Sequence, residues 1–442
     1  MYHQMTSLEK ALCQLKSYTA MRDVLHGETL KDLQCVDVLK AIARKKAIWI
    51  YDTGTGKTFL AAAAVRLMLN EDSNRRFIMF VRKDQLIQTP AKLERILGIE
   101  VLATAADAKS LERNVFNNDL LKYKLILLTH ECLSNPGVMN VLYEIRKDIT
   151  GIFIDEAHKL NNVYEAQSSG ILKAMLSKFD YVWALTATPI ESDLAQLAKL
   201  ACLLDNATYN NPKKLLYDLK HHHLEVGDDP CFFINRSAKE LGRTSKPIGL
   251  MVPVPAMAQQ RACTVGGVEL MQVCKGDGAV KQAQALVELL QSQNGAQGLV
   301  YISQQSIYDW VMPFLAEAGI SFAVMQGETP TAKRAEIMDK FNRTKEIQVV
   351  LLSITTAIDL DCNFVIFYEF TLEVDQLVGR AHRGFDSKEL FVYFMITTGS
   401  GEVDYFMKNI YDRCEVVQDI LGKENSAVKD VGREVGASGA KH

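Results

Sequence analysis

Short apolar runs alternate along this chain with longer stretches whose apolar residues recur at helical spacing. In the first half the runs are AIWIY (47–51), RFIMFV (76–81), KLILLT (124–129), GIFID (151–155) and YVWALT (181–186). Segments such as KTFLAAAAVRLMLN separate them and carry an amphipathic helical period. Runs that are apolar on both faces suit parallel strands sandwiched between helical layers. The pattern lapses over residues 204–280, where NATYNNPKK and SKPIGLMVPVPAMAQQ read as polar and Gly/Pro-containing connections. It resumes with GLVYIS (298–303), SFAVM (321–325), IQVVLLS (347–353), FVIFYEF (364–370) and LFVYFMI (390–396). The expected fold class is α/β: two tandem domains, each a mostly parallel sheet flanked by helices. The expected boundaries are 1–236 for the first domain, 237–279 for a linker and 280–422 for the second. The polar, small-residue-rich tail, 423–442, is expected to be disordered.

Bulk numbers narrow the class. A chain of 442 residues exceeds one ordinary core, which agrees with two domains. No apolar run reaches the roughly 18 residues that span a bilayer. The N-terminal stretch MYHQMTSLEKALCQLKSYTAMRDVL carries mixed charges and no apolar core of a secretory signal. A cytoplasmic protein is expected, or a nuclear one in a eukaryote. The nine cysteines are scattered singly, with no C-x-x-C pair, which suggests reduced thiols. The triplet His221-His222-His223 has no partner cluster, and its surroundings, LYDLKHHHLE, read as a solvated helix. A net charge of −3 argues against wholesale nucleic-acid binding but leaves room for a local basic groove.

The chemistry begins at YDTGTGKT (51–58), which follows the first apolar run and opens a helical stretch. Gly54 and Gly56 permit the backbone geometry that turns amide N–H groups toward phosphate oxygens, with Thr53 and Thr55 in the same loop. The following helix adds its positive N-terminal end. Lys57 then reaches the β- and γ-phosphates, and the Thr58 hydroxyl ligates Mg²⁺. Tyr51 stands where the general pattern has its first glycine. A strand-ending pair, Asp155 and Glu156 in GIFIDEAH, completes the requirement about a hundred residues later. One carboxylate holds Mg²⁺, and the next polarises the attacking water.

With ALTATPI (184–190) and QLVGRAHR (376–383) added, the chain resembles the superfamily 2 helicases and translocases. DEAHKLNN, LTATPIESDLAQLAKL, FFINRSAKELG, QGETPTAKRAEIMDKFN and GRAHRGFDSKELFVYFMITTGSGEVD are similar in order and spacing to the Swi/Snf-type branch. The resemblance covers roughly residues 30 to 410. It implies two RecA-like lobes with ATP and Mg²⁺ between them. Lys57, Thr58, Asp155 and Glu156 would come from the first lobe, and Gln376, Arg380 and Arg383 from the second. Gln34 matches the position that contacts adenine. His158, Thr186 and Thr188 match positions that link nucleotide state to lobe position.

The resemblance also implies a track. Arg82 and Lys83 in VRKDQ, Thr129 and His130 in LTHE, Ser303 and Gln304 in SQQS, and Thr355 in SITTAIDLD stand at positions that grip a nucleic-acid backbone. Hydroxyls, amides and a few cations contact phosphates there without reading sequence. Asp359 occupies a position where glycine is usual, and a carboxylate beside phosphate is unfavourable unless turned away. Asp361 keeps the acidic or amide position of the same segment. The implied activity is Mg-ATP hydrolysis that drives a monomeric translocase along double-stranded DNA, with a possible targeting partner and no membrane. Two alternatives stand beside it: a superfamily 2 helicase acting on RNA or single-stranded DNA, and an ATP-gated binding switch with weak turnover.

Overall fold

A computed structural model describes residues 22–86, 89–104, 120–160, 169–190, 193–243, 245–255, 277–353, 360–371, 374–381, 389–399, 401–423 and 425–439. The chain divides into two compact units, Met1–Gly242 and Arg243–His442.

The first unit carries seven strands: β1 (Lys46–Tyr51), β2 (Phe77–Val81), β3 (Val101–Thr104), β4 (Leu125–Thr129), β5 (Gly151–Ile154), β6 (Tyr181–Thr186) and β7 (Phe233–Arg236). They pair in the order β3-β4-β2-β5-β6-β1-β7, and every pairing is parallel. Strands β2, β4 and β5 are buried along their whole length, as their unbroken apolar sequences require. An aromatic layer of Trp49, Phe153 and Trp183 lies across neighbouring strands, with ring centroids 4.7–6.4 Å apart. Both indole N–H groups donate to carbonyls of helix Asp32–Arg44, Trp183 to Ala41 at 3.0 Å and Trp49 to Asp37 at 3.4 Å. These bonds satisfy buried donors and seat that helix on the sheet.

The second unit carries six: β8 (Ile248–Pro255), β9 (Gly298–Tyr301), β10 (Phe322–Met325), β11 (Val349–Leu352), β12 (Phe364–Phe367) and β13 (Phe391–Thr398). Their order is β10-β11-β9-β12-β13-β8, again all parallel. Alternate residues enter different cores. Leu299, Val350, Leu352, Val365 and Phe367 join one, while Val300, Val349, Leu351, Phe364 and Ile366 join the other. The sheet is therefore covered on both faces. The expected α/β class, two parallel-strand sheets flanked by helices, is what the chain adopts. No helix among the described residues is long and apolar enough to cross a membrane. Five of the six described cysteines are buried.

Two expected boundaries need correction. Residues 248–255 are not linker: they form β8, which among the described residues is an edge strand paired with β13, where Pro253 and Pro255 are tolerated. Nor is the tail disordered over its described residues: Ser426–Gly439 is a helix whose Ala427, Val428, Val431 and Val435 are buried in the second unit's core. Its small residues reflect close approach. A Cβ on Gly432 would lie 2.0 Å from the Tyr411 ring, and one on Gly249 in β8 would lie 1.9 Å from the Ala427 carbonyl oxygen. Asp430 and Glu434 accept hydrogen bonds from the Gly249 and Met251 N–H groups, at 3.4 and 3.3 Å. The helix thus covers an edge that would otherwise invite pairing with another chain. Gly249→Val should destabilise the second unit by on the order of 1–3 kcal/mol in denaturant titration. The same change should open residues beyond Lys423 to limited proteolysis; wild-type stability and resistance would contradict this packing.

Candidate functional site

The strand order decides which loops meet. β2, β5, β6 and β1 are consecutive neighbours, so their carboxyl ends open on one edge of the sheet. Ligands of open parallel sheets bind at such edges. The segments that follow these strands are VRKDQ, DEAH, TATP and the phosphate loop, gathered from positions far apart in sequence.

The phosphate loop leaves β1 at Tyr51 and enters helix Lys57–Glu71. Gly54 and Gly56 have φ of 75° and 94°, in the left-handed region where a side chain is strained. The Thr55 hydroxyl donates to the Asp52 carbonyl at 2.5 Å, and Lys57 Nζ donates to the Tyr51 carbonyl at 3.1 Å. Thr58 falls in the first turn of the helix, and Thr53 is half-buried in the loop. Gln34, from helix Asp32–Arg44, donates through Nε2 to the Thr55 carbonyl at 2.9 Å and accepts from the Lys31 N–H at 2.9 Å. Its amide therefore holds the loop's backbone, a role the sequence did not indicate.

Asp155 and Glu156 stand at the end of β5, 4% and 8% exposed. The Asp155 N–H donates to the Phe80 carbonyl at 2.9 Å, which extends the β2–β5 pairing to the carboxylate itself. Asp155 Oδ1 accepts from the Glu156 N–H and Oδ2 from Gln85 Nε2, each at 3.0 Å. Burial, and next the neighbouring Glu156, push the Asp155 carboxyl up to about 6, against the opposing pull of Lys57 and Gln85. Glu156 takes φ 47°, ψ 48°, left-handed geometry uncommon for a side-chain-bearing residue. Strain and crowded charge at one point suit a site completed by a cation. Glycines at positive φ, a helix N-terminus, the Thr58 hydroxyl and two acidic side chains fit a magnesium nucleotide.

The third segment joins the second through a side chain. His158, on the turn after Glu156, shares a 2.9 Å hydrogen bond between its Nδ1 and Thr186 Oγ1, and the same Nδ1 lies 3.6 Å from Glu156 Oε2. Thr186 Oγ1 also accepts from the Thr188 N–H at 3.1 Å. All three residues are buried. The residues expected to couple the two segments are thus in contact.

The track residues sort differently. Thr129 is buried, with its hydroxyl 3.7 Å from Cys132 Sγ, so it is withdrawn as a track contact. His130 turns its Nε2 to the Asp155 carbonyl at 2.7 Å, and burial lowers its pKa below the ordinary imidazole value. It belongs with the carboxylates rather than on a track. Lys83 is exposed and Arg82 half-buried at the end of β2. Gln85, in the same segment, was missed, although an amide four residues from the strand's end was its signal. In the second unit the Glu369 carboxylate accepts from the Ser303 N–H, the Ser303 hydroxyl, the Gln304 N–H and Gln304 Nε2, at 2.6–3.1 Å. Gln376 is buried on helix Val374–Ala381, which also carries Arg380. The Arg380 side chain, Arg383, Thr355 and Asp359 lie outside the described residues. The Asp361 N–H donates to Asn342 at 3.0 Å. His221 packs its ring against Tyr217 with centroids 4.3 Å apart, and the histidine triplet is exposed.

Two family models match in succession: "Type III restriction enzyme, res subunit" over residues 2–191 and "Helicase conserved C-terminal domain" over residues 281–385. The two matches, in this order along the chain, support a superfamily 2 helicase-like ATPase. A comparison with curated proteins gives no match. Among solved structures the chain is similar to the Sulfolobus solfataricus SWI2/SNF2 ATPase core in complex with dsDNA. That similarity has 16% identity over 91% of this chain and 95% of that one, with a TM-score of 0.42. A helicase-type core of this kind implies nucleotide binding.

Glu156→Gln removes one of two adjacent buried carboxylates and leaves the hydrogen-bonding shape intact. In metal-free buffer the thermal midpoint of the first unit should therefore rise, by roughly 2–4 °C if about 1 kcal/mol of repulsion is relieved. A lower midpoint in calorimetry would show that Glu156 stabilises the apo fold instead.

Proposed function

We propose that this ATPase is a nucleic-acid motor, a double-stranded DNA translocase of the Swi/Snf type that hydrolyses Mg-ATP. The observation that carries the reading is the gathering of the phosphate loop, Asp155–Glu156, Gln85 and the His158–Thr186 bond on one sheet edge. A nucleotide-binding scaffold alone has no use for a strained, buried Glu156 beside Asp155. Lys57 and the loop amides of residues 54–58 bind and orient the phosphates, and Thr58 and Asp155 would hold the metal. Bound Mg²⁺ would neutralise charge on the β- and γ-phosphate oxygens. Glu156 takes the proton of the attacking water, while Gln85 and the Glu156 N–H fix the Asp155 carboxylate. Arg380 and Arg383 act on the transferring phosphoryl group, a role worth about 10³–10⁵ in rate in related chemistry, and Gln376 supports them. Through Thr186, His158 reports the state of the carboxylates to the segment at Thr188.

Order and spacing of DEAHKLNN and of GRAHR with the strand after it favour duplex DNA over RNA or single strands. Arg82 and Lys83 remain contact candidates on the first unit. Ser303 and Gln304 favour a second reading, an ATP-gated switch with weak turnover. Their donors already serve Glu369, so a phosphate could be held there only in place of that carboxylate.

Steady-state ATPase assays with no nucleic acid, duplex DNA, single-stranded DNA and RNA separate these readings. Duplex DNA should raise turnover at least about tenfold, with a steep fall in DNA affinity as salt increases, and Glu156→Gln should abolish turnover. Stimulation by RNA or single strands alone would establish the helicase alternative. Turnover indifferent to every nucleic acid would favour the switch.

A further inference from the structure

The first unit ends at Gly242, and the chain reaches that point through β7 and residues 237–242. This exit segment is tied to the N-terminal flank of the phosphate loop and to helix Asp32–Arg44. Arg236, the last residue of β7, makes a bidentate pair with Asp37, Nε to Oδ2 and Nη2 to Oδ1, each 2.8 Å. The Tyr51 hydroxyl donates to the same Oδ2 at 2.5 Å. One residue further, the Asp52 N–H donates to the Arg236 carbonyl at 3.4 Å, and Asp52 Oδ2 accepts from the Ala238 N–H at 2.6 Å. Lys31 Nζ donates to the Leu241 carbonyl. Asp37 and Lys31 belong to the same helix and its cap as Gln34, which holds the Thr55 carbonyl.

The arrangement is stiff. Asp37 is fully buried and Arg236 only 5% exposed. A buried ion pair persists only when its hydrogen bonds are well made, so small displacements at either end are resisted. Arg236 also lies 3.7 Å from Glu240, whose Oε2 accepts from the Ser237 N–H at 2.7 Å and the Ser237 hydroxyl at 2.9 Å. The exit segment is therefore a hydrogen-bonded turn, and its attachments converge on Tyr51, Asp52 and the helix that carries Gln34. Tyr51, which departs from the usual glycine, supplies the one hydroxyl that links β1 to this pair.

We infer that Tyr51, Asp52 and Asp37 form with Arg236 and Ala238 a positioning clamp. Through it the nucleotide state of the phosphate loop sets the conformation of residues 236–242, where the chain leaves the first unit. The inference rests on the reading of residues 53–58 as a nucleotide loop. It adds a physical route, contiguous and hydrogen-bonded, from that loop to the unit's exit. None of the clamp residues needs to touch the nucleotide.

Hydrogen exchange on the full chain, with and without Mg²⁺ and a non-hydrolysable ATP analogue, tests it. In the wild type the analogue should slow exchange at residues 53–58 and also at 236–242, by at least about threefold at each. Asp52→Ala should keep the effect at 53–58 and lose it at 236–242, while Asp52→Asn, which retains an acceptor oxygen for Ala238, should keep both. Should Asp52→Ala fail to fold, Tyr51→Phe, which removes one hydroxyl and leaves the Asp37–Arg236 pair, should lose most of the response at 236–242. Protection at 53–58 without any response at 236–242 in the wild type overturns the clamp and leaves the nucleotide reading standing. An undiminished response in both Asp52→Ala and Tyr51→Phe overturns it as well. No protection at 53–58 overturns the nucleotide reading and the clamp together.

Discussion

Two carboxylates forced together at the end of a fully buried strand are the constraint on which the first unit depends. Asp155 is held in place by backbone pairing to β2, by the Glu156 N–H and by Gln85, and Glu156 is held in a left-handed conformation beside it. Adjacent buried charges of one sign are unfavourable without a counter-charge. The surrounding architecture compensates with what a parallel sheet offers at its carboxyl edge: helix N-terminal dipoles, glycine-loop amides and the Lys57 ammonium. The β2-β5-β6-β1 order places these groups on one edge, and the rings of Trp49, Phe153 and Trp183 pack three of those strands together.

Much of this was legible in sequence. All ten expected strands form, each within a few residues of its predicted limits; in most of them an apolar run buried on both faces leaves one reading, while the edge strand β10 is only half-buried. The three strands that escaped notice, β3, β7 and β8, are all sheet edges. An edge strand pairs on one side only, so its apolar run can be broken by polar residues, as by Asn235 and Arg236 in β7, or by prolines, as in β8. The C-terminal helix escaped for a related reason. Glycine and alanine read as disorder when counted, yet at Gly432 the small side chain is what lets the Tyr411 ring approach.

At the site, glycines, lysine and acidic pair were legible because their chemistry demands those residue types at that spacing. The supporting residues were not. Gln85, His130 and the Tyr51–Asp37–Arg236 set act through contacts between segments distant in sequence, and an amide, an imidazole or a buried arginine carries no local signature of such a partner. Thr129 shows the converse: a hydroxyl at a plausible position turned out to face the interior. Glu369 likewise reshapes Ser303 and Gln304 by engaging their donors from the bend after β12, 66 and 65 residues away.

On the proposed function, Asp155 and the phosphate loop hold one magnesium nucleotide. Titration of a fluorescent ATP analogue with and without Mg²⁺, in the wild type and in Asp155→Asn, tests it most directly. Magnesium should tighten binding to the wild type by at least about tenfold, and that gain should vanish in the variant. Equal affinity with and without magnesium in the wild type, or an undiminished gain in Asp155→Asn, would contradict the account.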